Sequence, residues 1–135
     1  MIIMVDTNIL VSGMLFDGTE RILLNYAQSN KFKLLISEFS ITEARSVLSQ
    51  KFPGKEDILD QTIKLIPVEI APVPSKEIIE KADKIIRDPK DAIILATAIE
   101  IAPDAFVSGD KDFHTPEVKK LIITLNTADA IKWLS

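Results

Sequence analysis

The sequence predicts a doubly wound α/β fold: a mainly parallel sheet of four or five strands in the order 3-2-1-4-5, with helices on both faces. Three observations carry that expectation. Short apolar runs alternate with segments of helical period, as successive strand–helix units require. The first run, MIIMV, is apolar without a break, as befits a strand in the middle of a protein. Acids stand where the first and fourth strands end, and open sheets place their ligand crevice at those carboxyl ends.

The elements follow in order. Strand one is Ile2–Val5, and a helix follows on which Ile22, Leu23, Tyr26 and Ala27 share a face. KLLIS (33–37) reads as strand two. SEFSITEARSVLSQ is helical, with Ile41, Ala44 and Leu48 on one side, and EDILDQTIKLI (56–66) is a further helix. PVEIAPVP (67–74) carries three prolines, which restrict it to an edge strand or a loop.

SKEIIEKADKIIRD places Ser75 as an N-cap and Ile78, Ile79, Ala82, Ile85 and Ile86 in a stripe. In DPKDAIILATAIEIA, Asp88 is the N-cap and Pro89 the first helical residue of a buried helix. Strand four is 105–108 and strand five LIITL (121–125). NTADAIKWLS closes the chain as a short helix. With no repeat or linker, residues 1–135 are expected to form a single domain.

Composition narrows the chemistry. The chain has no cysteine and a single histidine, His114. Zinc sites of His and Cys are therefore excluded, as are Ser-His-Asp and Cys-His nucleophilic systems. Any metal must be bound by oxygens, which selects Mg²⁺ or Mn²⁺. No apolar run is long enough for a membrane span, and the lack of cysteine fits a cytoplasmic location. A net charge of −4 with scattered basic residues argues against a non-specific nucleic-acid coat, though not against a strand gripped locally.

The acids are the informative residues. Asp6 ends a buried strand, where an unpaired charge costs several kcal/mol. In the order 3-2-1-4-5, Asp6 and Asp110 flank the switch point, and Glu43 and Asp91 open toward the same edge. Each has a plainer reading. Asp91 lies in a first helical turn, Glu43 completes an S-x-x-E capping box with Ser40, and Asp110 follows Gly109 in a turn. Separate capping needs would not gather four acids at one edge of one sheet. Converging carboxylates repel, and a divalent cation removes the conflict, acidifies water and stabilises charge on a phosphodiester. The other acids, Glu20 among them, read as solvated helix faces.

Asp6-Thr7-Asn8 after strand one, then Glu43, Asp91 and VSGD ending in Asp110, resembles the PIN domain family over essentially the whole chain. The triplets DTN and SGD are weak singly; all four acids at these intervals are specific together. The resemblance implies a PIN-like fold and a metal-dependent endoribonuclease that leaves a 3′ hydroxyl, similar to the VapC-like toxins of toxin–antitoxin pairs. It implies a catalytic set of Asp6, Glu43, Asp91 and Asp110, and metal ligation by Asp6, Asp91, Asp110 and Asp112. Thr7 and Asn8 would orient Asp6 or a bound water, Ser108 would support Asp110, and Lys90 and Lys111 would touch phosphates. The cofactor would be Mg²⁺ or Mn²⁺. The partners would be RNA, an antitoxin protein and a second copy of the chain, with no membrane.

Three alternatives compete. A catalytically silent PIN-like module would hold RNA or a protein partner. A receiver domain needs an aspartate after its third strand, and PVEIAPV has none. A haloacid-type phosphatase needs an aspartate two residues after the first, where Asn8 stands.

Overall fold

In chain order the elements are β1 (Ile2–Val5), α1 (Thr7–Leu15), α2 (Thr19–Gln28), β2 (Lys33–Ser37), α3 (Glu38–Lys51), α4 (Asp57–Leu65) and β3 (Val68–Ala71). There follow α5 (Lys76–Asp83), α6 (Pro89–Ile101), β4 (Ala105–Val107), a 3₁₀ turn (Lys111–His114), α7 (Pro116–Lys119), β5 (Thr124–Leu125) and α8 (Thr127–Leu134). The computed structural model describes all residues, 1–135. All strands are parallel and the sheet order is β3-β2-β1-β4-β5, as the sequence predicts.

β1 is central, with Ile3 paired to Leu34 of β2 and to Ala105 of β4. Side chains alternate across a strand, so each strand feeds two cores. Ile3, Val5, Leu34, Ile36 and Val107 pack with residues of α1, α2, α3, α4 and α8. Met4, Leu35 and Phe106 pack on the other face with α5, α6, Phe113 and Val118. Two covered faces explain why β1, β2 and β4 are apolar at nearly every position. β3 is an edge strand with Glu69 and Ile70 exposed, which is why its flanking prolines are tolerated.

The first helix begins directly at Thr7, a start that sequence periodicity missed. Thr7, Ile9, Leu10, Val11, Gly13 and Met14 are all buried, so α1 shows no polar stripe. Gly13 sits where α2 crosses. A Cβ there would lie 2.6 Å from Leu24 Cδ1 and 3.0 Å from the Glu20 carbonyl oxygen, so only glycine lets the helices approach this closely. On α2, Ile22 is exposed rather than buried with Leu23 and Ala27.

Other expectations shift. Helix α5 ends at Asp83 because Ile85 and Ile86 N–H both turn back to the Ala82 carbonyl, and Ser75 makes no side-chain cap bond. β5 shrinks to Thr124–Leu125, since Leu121 and Ile122 N–H are spent on the Val118 carbonyl at the end of α7. β4 stops at Val107. Most consequential is α3. Its N-cap is Ser37, whose hydroxyl accepts from Phe39 N–H at 3.0 Å, so Ser40 lies inside the helix and forms no capping box with Glu43. Glu43 is thereby free for other work.

Candidate active site

The carboxyl ends of β1 and β4, with the starts of α1 and α6 and the second turn of α3, form one edge of the sheet. Asp6 leaves β1 and caps α1, its Oδ1 accepting the Ile9 N–H at 2.9 Å. Its Oδ2 accepts a short hydrogen bond from the Ser108 hydroxyl. Asp6 is thus buried but paired on both oxygens, and the strand-end carboxylate has a local structural duty as well.

Ser108 links the two strands. Its oxygen accepts the Asp110 N–H at 3.0 Å while its hydroxyl serves Asp6, so its support reaches Asp110 through the backbone rather than the carboxylate. His114 Nε2 meets the Ser108 carbonyl at 2.7 Å and pins the same loop. Asp110 caps the 3₁₀ turn, its Oδ1 accepting Asp112 N–H at 2.9 Å. That turn brings Asp112 round beside Asp91 of α6. Carboxylate oxygens of Asp91, Asp110 and Asp112 all lie within 4.8 Å of one another.

Glu43 reaches the site from α3. Thr7 donates its hydroxyl to Glu43 Oε1 at 2.7 Å, where the resemblance implied that it orients Asp6 or a bound water. A pocket of about 220 Å³ is lined by Asp6, Glu43, Asp91 and Asp110, by Asn8 and Lys90, and by Asp88, whose place there sequence reading did not foresee. Asp88 signalled only a cap, which it also is: it accepts Lys90 N–H at 2.9 Å. Lys111 is elsewhere, in a neighbouring depression with His114 and Asn126.

Electrostatics separate the acids. Burial pushes the Asp6 carboxyl up, opposed by its bonds to Ser108 and Ile9, with Asp110 adding repulsion. Asp91 is pushed up to about 6, first by burial and then by Asp88, Asp110, Asp112 and Asp6. No basic group offsets this crowding closely. Arg87, 91% exposed, stands 3.7 Å from Asp112 and is worth little there.

Residues 2–112 match the family described as PIN domain. The chain belongs to the PIN domain family. The fold of this PIN domain is similar to that of VapBC2 from Rickettsia felis bound to a DNA fragment from their promoter. That likeness has a TM-score of 0.67 and 21% identity, covering 93% of this chain and 98% of that one. FitAcB from Neisseria gonorrhoeae is similar at a TM-score of 0.69 and 17% identity, with 93% and 98% covered. FitAB bound to an IR36 DNA fragment is similar at 0.66 and 16%, with 93% and 94% covered. At such identities the likeness is one of fold. No curated protein matches the sequence.

The acidic centre of this PIN domain fits a hard divalent cation. Its donors are carboxylate oxygens alone, and oxygens on opposite sides of one magnesium lie about 4 Å apart. The spread of Asp91, Asp110 and Asp112 is close to that span. Asp6 shares the pocket but lies outside this tight trio, its oxygens already engaged. No helix is long and apolar enough to cross a membrane.

Proposed function

We propose that this PIN domain is a metal-dependent endoribonuclease and the toxin member of a toxin–antitoxin pair. The observation that carries the reading is the trio of carboxylates within 4.8 Å of one another, beside which burial and then repulsion by its acidic neighbours push Asp91 up to about 6. Asp91, Asp110 and Asp112 would hold Mg²⁺ or Mn²⁺, with Asp6 closing the inner wall of the site. The ion supplies positive charge that acidifies water and stabilises the phosphodiester transition state.

The chain's own residues do the rest. Glu43, held by the Thr7 hydroxyl, is the base that receives a proton from the attacking water. The water oxygen bonds to phosphorus, the P–O3′ bond breaks and the departing O3′ takes a proton from solvent water, leaving a 3′ hydroxyl and a 5′ phosphate. Asp6, locked by Ile9 and Ser108, keeps the β1 and β4 ends in register so that the acids face one another. Lys90 at the rim and Lys111 beside it supply the local positive charge that phosphates need on an acidic protein.

The toxin reading rests on membership of the PIN family and on fold likeness to VapBC2 and FitAB. It makes an antitoxin protein and a second copy of the chain the expected partners. The test uses end-labelled single-stranded RNA with purified protein. Cleavage to 3′-hydroxyl products should require added Mg²⁺ or Mn²⁺ and fall at least about 100-fold in Asp110→Asn. Absence of cleavage, or cleavage indifferent to that substitution, overturns the reading; RNA binding without cleavage would favour a silent binding module.

A further inference from the structure

A second cavity, of about 460 Å³, opens directly beside the acidic pocket. The two share Asn8, and Gly109 of the second lies between Ser108 and Asp110. Its size is that of small-molecule sites. Its walls come from the start of α1, the start of α2 and the start of α8, and they are polar without being basic: Asn8, Ser12, Thr19, Glu20, Asn126 and Thr127.

The hydrogen-bonding capacity there is only partly used. Glu20 accepts from the Ser12 hydroxyl at 3.1 Å through Oε1, which leaves Oε2 and further lone pairs free. Asn126 spends its Oδ1 on capping α8, accepting Asp129 N–H at 2.8 Å, so its amide N–H₂ remains a donor. Thr127 is 93% buried, lines the cavity, and its hydroxyl bonds to nothing in the chain. Glu20 is held in place by the close α1–α2 crossing at Gly13, which the Glu20 carbonyl itself helps to make. A first-turn acid on α2 would satisfy the helix dipole from an exposed position. Glu20 is instead half-buried against a cavity next to the five acids of the neighbouring pocket.

A carboxylate in that position repels phosphate. It accepts hydrogen bonds from a neutral group with paired donors. On the nuclease reading above, the strand crossing the acidic pocket places an unstacked nucleotide in this neighbouring cavity, and single-stranded RNA is read through such splayed bases. We infer that the Glu20–Asn126 cavity is a base-specificity subsite that selects guanine in the RNA substrate. Guanine alone among the four bases presents two adjacent donors, N1–H and N2–H₂, to a carboxylate, with O6 beside them for an amide donor. Adenine and cytosine offer one amino group next to an acceptor, and uracil sets its one N–H between two carbonyls.

The subsite is tested by equilibrium binding in EDTA, which separates it from the chemistry. The probes are fluorescein-labelled oligouridine decamers carrying one central guanosine, inosine or adenosine. Wild-type protein should bind the guanosine decamer at least about fivefold tighter than the inosine or adenosine ones. Glu20→Gln, checked for an unchanged melting curve, should bring those ratios to near one. Asn126→Asp, which keeps the cap acceptor, should also shrink them. Equal affinity for all decamers overturns the subsite, as does uniform tightening in Glu20→Gln with the ratios kept, which would make Glu20 a repelling charge only. Cation-dependent cleavage with no guanosine preference would remove the subsite and leave the nuclease standing; a guanosine preference in binding without cleavage would do the reverse.

Discussion

Asp6 and Asp91 are both acids at the same edge of the same sheet, and the fold treats them in opposite ways. Asp6 is 5% exposed and carries a hydrogen bond on each oxygen, from Ile9 N–H and from Ser108. Asp91 is half-buried, and burial first, then repulsion from Asp88, Asp110, Asp112 and Asp6, pushes its pKa up to about 6. The first is a structural member that stands in an acidic pocket. The second stands in the first turn of α6 among carboxylates that repel it. On the proposed nuclease reading, a cation from outside the chain would offset the charge of the second kind of acid.

The largest effect is expected at Asp6. Asp6→Ala removes the α1 cap and strands the buried Ser108 hydroxyl, so metal-free stability in urea should fall by about 2 kcal/mol. Any RNA cleavage should be lost as well. Unchanged stability would contradict a structural role for Asp6.

Asp91→Asn should act with the opposite sign. Removing a repelled charge should raise metal-free stability near pH 7.5 by up to about 1 kcal/mol, while abolishing cleavage. The pH dependence gives the same distinction. In the folded chain Asp91 keeps its proton to about pH 6, whereas the unfolded chain releases it near 3.8. The folded state thus binds more protons between those values, and stability declines as pH rises through that window. Wild type should approach the stability of Asp91→Asn at pH 4 and fall below it by pH 7. Parallel curves for the two proteins would contradict the crowding argument.

The smallest effect belongs to Thr7. Thr7→Val removes the bond to Glu43 Oε1 with little change in volume, and should cost under about 1 kcal/mol in stability. It should lower kcat about tenfold while KM stays near the wild-type value. A drop in RNA affinity with kcat unchanged would instead place Thr7 in substrate binding.

Much of this was legible in the sequence, and the gaps have physical causes. The parallel α/β class followed from βα alternation, and the acidic edge from Asp6 and Asp110 closing apolar strands. Helix α1 escaped because it is buried nearly all round, which erases the polar stripe that periodicity needs. Ser40 and Glu43 spelled a capping box, but α3 starts three residues earlier on Ser37, a boundary set by where β2 ends. Thr7 stood next to Asp6 in the chain yet faces Glu43 across space. Asp88 and Glu20 sit at helix starts, where an acid has a local reason to exist, so nothing in one dimension marked either as lining a cavity. Tertiary contacts of this kind have no local signature.

The most direct measurement is the melting temperature of metal-free wild type and Asp91→Asn at pH 7.5, titrated with MnCl₂. A ligand at 100 times its dissociation constant stabilises by about 2.7 kcal/mol, so wild type should melt several degrees higher in millimolar Mn²⁺, and Asp91→Asn should gain far less. Identical melting of wild type in Mn²⁺ and in EDTA would contradict a cation-centred site.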